Sequence, residues 1–319
     1  MGARARRGRM YGGGVLTRRR LLASLAAGAA SAVAAVGPRG RRAGASGLLE
    51  RRIPSSGEML PAVGIGTWRV FDVGASDAER APLREVLRRF AELGGRAVDS
   101  SPMYGAAEAV VGDVATEVGV LDRLFLATKV WTSGREAGIA QMEQSFKWLR
   151  AKRLDLMQVH NLLDWSTHLR TLREWKSQGR IRYVGVTHYT AGAYDELERV
   201  LRAAPLDFVQ INYSVDERES ERRILPLARD RGVAVIANRP FAEGALFGRV
   251  RGKALPAWVA EIDCDSWAQL FLKWILGNPA VTCVIPGTGK SEHLLDNMKA
   301  ATGRLPDPAM RDRIAEALR

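Results

Sequence analysis

The chain has 319 residues, of which 46% are hydrophobic and 26% charged, and its formal net charge is +13. These fractions are ordinary for a soluble globular protein and argue against disorder for most of the chain. Residues 1–45 hold ten arginines and no acidic residue, which leaves only +3 on the rest of the chain. The basicity therefore belongs to the N-terminal segment, and a nucleic-acid-binding body is not expected.

Residues 1–46 are predicted to be an export leader followed by a linker. Residues 17–23 read T-R-R-R-L-L-A, and the apolar stretch from 21 to 36 is shorter than the roughly 20 residues of a membrane span. A basic start, a short apolar region and small residues afterwards are typical of a signal peptide. The paired arginines resemble a twin-arginine signal, which implies the twin-arginine export machinery as a partner and a periplasmic or exported location. The alternatives are an uncleaved basic tail on a cytoplasmic protein and a retained membrane anchor.

Residues 47–319 are predicted to form one domain, because short apolar runs alternate with amphipathic stretches eight times. The runs are rich in Val and Ile and mostly do not alternate with polar residues, as expected of strands buried on both faces. They are 63–67, 96–101, 124–130, 154–160, 181–187, 208–214, 233–238 and 282–288.

Helical patterns occupy the segments between these runs. They are 78–93, 105–118, 137–150, 166–178, 192–203, 218–231, 265–276 and 291–301, with an extra C-terminal helix at 307–318. Eight strand–helix units predict an α/β fold, a (β/α)8 TIM barrel. Residues 49–62 are expected to form a β-hairpin at the bottom of the barrel, with its turn at 55–57.

Polar side chains at the ends of the predicted strands are the candidate catalytic residues, because barrel active sites lie at the carboxyl ends of the strands. Asp99 ends the second run and Tyr104 follows it in the loop. Lys129 lies in the third run, and His160 ends the fourth. Each residue alone has an ordinary structural interpretation, whereas all four on neighbouring units of one barrel favour a shared site.

Seven segments of the chain resemble the aldo-keto reductases, in the order in which that family has them. They are G-I-G-T-W (64–68), D-S-S-P-M-Y-G (99–105), A-T-K-V-W (127–131), L-M-Q-V-H-N (156–161), V-G-V-T-H-Y (184–189), F-V-Q-I-N-Y-S (208–214) and I-P-G-T-G-K (285–290). Asp99, Tyr104, Lys129 and His160 match the family's catalytic tetrad. The resemblance implies reduction of an aldehyde or ketone by hydride transfer from a nicotinamide cofactor, with no metal.

The chemistry of this reaction explains why these residue types are needed. A tyrosine hydroxyl has a free pKa of about 10, and a neighbouring ammonium makes it a better proton donor. Tyr104 is therefore the expected general acid, with Lys129 supplying the charge and Asp99 holding Lys129. His160 is expected to hydrogen-bond the carbonyl oxygen of the substrate.

The resemblance also implies a cofactor site across the barrel mouth, with NADP(H) as the main cofactor and NAD(H) as the alternative. The residues that it assigns to the cofactor are Thr67, Thr187, His188, Gln210, Arg239, Phe241, Gly287, Thr288, Lys290, His293, Asp296 and Asn297. Trp68, Met103 and Trp131 are expected to line the pocket of a small carbonyl substrate, with core packing as the alternative.

The chain departs from the family pattern at several cofactor positions. Most relatives have Asn where this chain has His188, and an aromatic residue where it has Asn238. Stacking on the nicotinamide is then lost or moved to Phe241 or Tyr213. Arg239 is expected to pair with the pyrophosphate, or alternatively with an acidic side chain.

The adenosine end of the predicted site departs as well. Relatives that prefer NADPH often have Lys at Gly287 and Arg at His293, so Lys290 is the remaining candidate for the 2′-phosphate. Asp296 and Asn297 suit contacts with the adenine amine, with solvation on the helix surface as the alternative.

Two other functions are consistent with parts of the sequence. One is a non-catalytic nicotinamide-binding barrel that acts as a sensor or subunit, which the changes at Asn238 and His188 would allow. The other is a metal-dependent hydrolase, which would need three or four ligands at strand ends, where only His160 and Asp99 are evident. Cys264 and Cys283 are too few for a disulfide framework.

Overall fold

The computed structural model describes residues 47–318, so the predicted leader lies outside the described residues. Eight parallel strands form one sheet in which each strand pairs with the next along the chain. The strands are β3 (Ile65–Gly66), β4 (Ala97–Asp99), β5 (Phe125–Val130), β6 (Leu154–His160), β7 (Ile181–Thr187), β8 (Phe208–Asn212), β9 (Ala234–Asn238) and β10 (Cys283–Val284).

The sheet closes into a barrel between its first and last strands. Parallel bridges join Val63 to Val284 and Gly66 to Gly287. The carboxyl ends of all eight strands therefore meet at one rim, and the predicted (β/α)8 barrel is confirmed. β3 and β10 have two residues each, although the apolar runs predicted five and seven.

Ten α-helices lie within the described residues, and nine of them correspond to predicted helices. They are α1 (Asp77–Glu92), α2 (Ala107–Glu117), α3 (Arg135–Trp148), α4 (Trp165–Ser177), α5 (Tyr194–Ala203), α6 (Ile224–Asp230), α7 (Ala245–Arg249), α8 (Trp267–Leu276), α9 (Ser291–Lys299) and α10 (Pro308–Glu316). The helix predicted at 218–231 was too long, because Glu219–Glu221 forms a separate 3₁₀ turn before α6. α7 was not predicted. Each helix of residues 47–318 is too short or too polar to span a bilayer.

Polar N-caps explain where three of the helices begin. Ser76 accepts a hydrogen bond from the backbone of Glu79 at the start of α1, and Ser266 does the same for Gln269 in α8. Asp307 caps α10, whose first residue is proline. Such caps satisfy backbone N–H groups that have no partner inside the helix.

A β-hairpin closes the end of the barrel opposite the predicted site. Its strands, β1 (Glu50–Arg52) and β2 (Met59–Pro61), are antiparallel, as predicted for 49–62. Ile53 and Leu60 are fully buried and belong to the same apolar cluster as inward-facing Phe125, Leu156 and Phe208. The barrel is thus packed at its bottom, and polar side chains are left to its carboxyl end.

Candidate active site

A buried ion pair connects β4 to β5 at the carboxyl end of the barrel. The Lys129 Nζ atom lies 2.7 Å from Asp99 Oδ2, and the side chains are 0% and 4% exposed. Lys129 also donates to the backbone oxygen of Ser100 at 2.6 Å. Burial lowers the pKa of Lys129, but the charge of and hydrogen bond to Asp99, together with Tyr104, outweigh it, and the pKa is raised above the ordinary value. The ammonium therefore stays charged although it is cut off from solvent.

The second carboxylate oxygen of Asp99 accepts two further hydrogen bonds from strand residues. Gln210 Nε2 in β8 donates to Asp99 Oδ1 at 2.8 Å, and Gln158 Nε2 in β6 donates to it at 3.1 Å. Together with Lys129, these contacts fix the carboxylate from three strands. Gln158 was not singled out in the sequence, although it lies two residues before His160 on a buried strand and so shares its face.

Tyr104 lies in the loop after β4, beside Lys129. The Lys129 Nζ atom is 5.0 Å from the centroid of the tyrosine ring. Burial raises the pKa of Tyr104, and the neighbouring ammonium opposes this without cancelling it. Tyr104 is thus a neutral phenol at neutral pH, which is the protonation state that a proton donor requires.

His160 faces Tyr104 from the end of β6. The two rings are 5.9 Å apart at an angle of 84°. Burial, aided by the charge of Lys129, lowers the pKa of His160 to about 2. The imidazole is therefore neutral, and its Nδ1 lies 3.1 Å from the Oγ atom of Ser101. The structure brings all four predicted catalytic side chains together at one rim of the barrel.

Three large apolar side chains stand at this rim with unusually high exposure. Trp68, Met103 and Trp131 are 41%, 39% and 40% exposed. The indole of Trp131 lies 6.4 Å from the His160 ring. The side chain of Gln141 holds the backbone of Trp131, since its Oε1 accepts from the Trp131 N–H at 2.5 Å and its Nε2 donates to the Trp131 oxygen at 3.2 Å. Core packing, the alternative for these three residues, does not account for their exposure.

Thr67 and Thr187, both assigned to the cofactor, are buried at the same rim. Thr67 Oγ1 is 3.0 Å from both the Asp99 backbone oxygen and Ser100 Oγ. Thr187 Oγ1 donates to Gln210 Oε1 at 3.3 Å. These hydroxyls are thus linked to the hydrogen bonds that surround Asp99.

His188 has one ring nitrogen engaged by the backbone of its own loop. Its Nδ1 accepts from the N–H groups of Tyr189 and Thr190 at 3.0 and 3.3 Å. Burial lowers its pKa, so the ring is neutral and carries its proton on Nε2. His188 can therefore act only as a donor toward a carboxamide, where asparagine could both donate and accept.

Arg239 pairs with acidic side chains, as the alternative interpretation expected. Its guanidinium lies 3.0 Å from Glu243 and 3.7 Å from Glu217. Arg239 Nε, Glu217 Oε2 and Asn238 Oδ1 are buried without a hydrogen-bond partner among the described residues. Unsatisfied polar atoms are costly, so this end of β9 fits a polar ligand such as a dinucleotide.

Neither proposed replacement for the stacking aromatic lies free at the rim. Tyr213 is fully buried, and its hydroxyl contacts Glu221 and Arg311, both at 2.5 Å. The suggestion that Tyr213 stacks on a nicotinamide was therefore wrong. Phe241 packs against Phe247 at 4.9 Å between ring centroids and is partly buried.

The predicted adenosine contacts divide into free and engaged side chains. Lys290 and His293 are exposed near the start of α9, and Gly287 is exposed at the rim. Thr288 is buried and holds the turn by accepting from the Lys290 N–H at 3.2 Å. Asn297 is buried in α9.

Asp296 has a structural function that the sequence did not indicate. Its two oxygens accept hydrogen bonds from Ser266 Oγ and Gln269 Nε2, both at 2.6 Å, at the start of α8. Asp296 thereby ties α9 to α8, and its contact with the adenine amine stays a prediction.

Residues 47–318 hold no group of three or more His, Cys, Asp or Glu side chains that could bind a metal ion. Cys264 and Cys283 are buried free thiols.

Comparisons with known proteins identify the family of the chain. A model of the aldo/keto reductase family matches residues 62–318. Methylglyoxal reductase YeaE of Escherichia coli is 29% identical over 258 residues, which cover 78% of this chain and 89% of that protein. The crystal structure of an aldo-keto reductase from Klebsiella pneumoniae in complex with NADPH is similar with a TM-score of 0.67 and 27% identity, over 81% of this chain and 92% of that one.

A holo aldo-keto reductase of Bacillus halodurans shares the fold, with a TM-score of 0.70 at 21% identity over 85% of this chain and 96% of that one. Since the family model covers most of the chain, the chain belongs to the aldo/keto reductase family and is an NAD(P)-dependent oxidoreductase of carbonyl compounds.

Proposed function

We propose that this aldo/keto reductase reduces an aldehyde or ketone with NADPH, and that Tyr104 donates the proton to the carbonyl oxygen. One observation carries the proposal: a neutral, partly buried Tyr104 lies beside a charged lysine that Asp99 holds at 2.7 Å. A carbonyl oxygen that gains negative charge needs both a proton and a nearby positive charge, and this arrangement offers both.

The four side chains divide the work of reduction. When bound, the nicotinamide supplies the hydride that forms the new C–H bond. Tyr104 gives its hydroxyl proton to the oxygen, and Lys129 stabilises the phenolate that remains. Asp99 keeps Lys129 charged and in place. His160, being neutral, donates a hydrogen bond to the oxygen without competing as an acid. In the reverse direction the Tyr104 phenolate takes the proton back from an alcohol.

The cofactor residues that the family resemblance assigns also have side chains at the rim that could hold a dinucleotide. His188 offers a donor to the carboxamide, and Arg239 would exchange a carboxylate partner for the pyrophosphate. Lys290, exposed at the start of α9, would meet the 2′-phosphate of NADP(H). NAD(H), which lacks the 2′-phosphate, stays the alternative cofactor, because Lys290 would be the single cation that binds this phosphate.

A small aldehyde is the favoured substrate class. Several relatives are named methylglyoxal reductases, and the exposed Trp68 and Trp131 offer flat apolar surface beside His160. The test is NADPH oxidation followed by absorbance, with methylglyoxal and with benzaldehyde. Turnover with either one supports the proposal. Tight NADPH binding with no turnover of either would favour the rival function, a nicotinamide-binding sensor or subunit.

We further infer that residues 1–46 direct export through the twin-arginine machinery. Support comes from the sequence alone: Arg18 and Arg19 precede a mild apolar stretch. A periplasmic location leaves a nicotinamide enzyme without an obvious cofactor supply, and this pathway removes the difficulty by carrying folded proteins that can hold their cofactor. The test compares cell fractions of the wild type with those of an Arg18→Lys, Arg19→Lys variant. We expect the wild type to be found outside the cytoplasm and the variant to be retained inside it. Identical cytoplasmic, full-length behaviour of both would contradict the inference and leave a cytoplasmic enzyme.

A further inference from the structure

Ser101 is a fully buried residue in the turn between Asp99 and Tyr104. Its Oγ atom is 3.1 Å from His160 Nδ1 and 3.4 Å from the backbone nitrogen of Met103. Its backbone oxygen accepts from the Tyr104 N–H at 3.0 Å. One small side chain therefore joins the turn that carries Tyr104 to the ring of His160.

Only one placement of the hydrogens at Ser101 and His160 gives every buried donor an acceptor. Ser101 Oγ has one hydrogen to give and accepts from the Met103 N–H. Among the described residues, His160 Nδ1 is the one acceptor within reach of that hydrogen. If Nδ1 carried the proton instead, the serine hydrogen would be buried without an acceptor, which is unfavourable. The hydroxyl therefore donates to Nδ1, and the proton of the neutral ring lies on Nε2.

We propose that Ser101 is a positioning residue, which fixes His160 in the tautomer with Nε2–H and aims that hydrogen at the substrate oxygen. This inference rests on the proposed carbonyl reduction, in which His160 must donate. The other tautomer would present an Nε2 lone pair to the carbonyl oxygen and repel it.

Because the surroundings of His160 keep its ring neutral, the hydrogen bond with Ser101 determines which ring nitrogen can donate. Lys129 and burial keep the ring neutral, so its donor position depends on the tautomer alone. The Tyr104 and His160 rings pack nearly perpendicular, with centroids 5.9 Å apart, which restricts the tilt of the imidazole without a hydrogen bond to Nδ1. Ser101 is thus the contact that sets the tautomer.

The first test reads the tautomer of the resting protein by NMR. In the protein labelled with ¹⁵N-histidine, two-bond proton–nitrogen spectra distinguish protonated from unprotonated ring nitrogens. The chain has four histidines, and the His160→Gln variant identifies the His160 signals. We expect Nε2 protonated and Nδ1 unprotonated. A proton on Nδ1 would overturn the inference while leaving the proposed reaction to be judged by Tyr104.

The second test measures NADPH-dependent reduction in variants of Ser101. Ser101→Ala should lower kcat by about tenfold or more, since a misplaced catalytic group is costly, with the Kd for NADPH within about twofold of wild type. Ser101→Thr restores the hydroxyl and should recover most of kcat. Ser101→Cys preserves shape with a weaker donor and should fall between them, which covers the case in which the alanine variant does not fold.

A matched control is Ser100→Ala, which removes an equally buried hydroxyl that contacts Thr67 and not His160. Its His160 tautomer should equal that of wild type. An alanine variant of Ser101 with kcat within about twofold of wild type, or a threonine variant no better than alanine, would show that Ser101 does not act through His160.

Discussion

The ammonium of Lys129 lies 5.0 Å from the centre of the Tyr104 ring, yet Tyr104 remains a weaker acid than free tyrosine. Burial of the phenol outweighs the nearby positive charge. The consequence is a proton that stays on Tyr104 in the resting protein and becomes easy to lose only when a carbonyl oxygen accepts it. Within the neighbouring ion pair, Asp99 raises the pKa of Tyr104 and Lys129 lowers it. Removal of this pair is the first prediction.

Replacing Lys129 with methionine should destabilise the protein by about 3–5 kcal/mol, because the buried Asp99 carboxylate loses its charged partner. Urea unfolding monitored by circular dichroism measures the change. The matched control is the double variant Asp99→Asn, Lys129→Met, which removes both charges and should recover part of the lost stability without recovering activity. A single variant within about 1 kcal/mol of wild type would contradict a stabilising pair.

Glu108 gives a pH-dependent prediction. It is fully buried in α2, accepts from Ser145 Oγ at 3.1 Å and from Thr128 Oγ1, and burial raises its pKa from 4.5 to about 6. The stability that this group contributes is present below pH 4.5 and is lost as pH rises through 6. At pH 8 the wild type therefore carries a buried charge that costs free energy.

Glu108→Gln should accordingly be more stable than wild type at pH 8, by up to about 2 kcal/mol, and by much less at pH 5. Glutamine is neutral and can still accept from Thr128. Urea unfolding of both proteins at the two pH values measures the difference. A variant that is equally or less stable than wild type at pH 8 would show that ionisation of Glu108 does not destabilise the folded protein.

The cofactor site should discriminate only weakly between NADPH and NADH, since Gly287 and His293 replace two cations common in relatives. We expect Lys290→Met to weaken NADPH binding and to leave NADH binding nearly unchanged, because only NADPH carries the 2′-phosphate. Quenching of protein fluorescence gives both Kd values. A wild-type preference beyond about a thousandfold, roughly 4 kcal/mol, would show that other residues anchor the phosphate.

Most of the fold could be predicted because its signals are local. The Val- and Ile-rich runs locate all eight strands, and apolar spacing locates nine helices. β3 and β10 are shorter than predicted, because they close the barrel through isolated bridges such as Val63–Val284. That closure depends on residues more than 200 positions apart, which no local pattern records.

Site residues that belong to recognisable motifs could be predicted from the sequence. Residues whose function depends on tertiary contacts were missed. The four tetrad residues stand in the order of the family motifs, so their convergence was foreseeable. Ser101 and Gln158 lie inside those motifs. The available signal was a polar residue close to a candidate catalytic residue, in the turn after β4 for Ser101 and within buried β6 for Gln158. The contacts of Asp296 with α8 were missed because Ser266 and Gln269 lie about 30 positions away and only folding brings them to it.

The most direct test of the account is the single-turnover and steady-state rate of Tyr104→Phe with NADPH and an aldehyde, alongside the Kd for NADPH. The variant loses only the proton donor, so we expect kcat to fall by far more than tenfold while the Kd for NADPH changes little. A variant that retains more than about a tenth of kcat, a loss below about 1.4 kcal/mol, would contradict Tyr104 as the acid and with it the central claim.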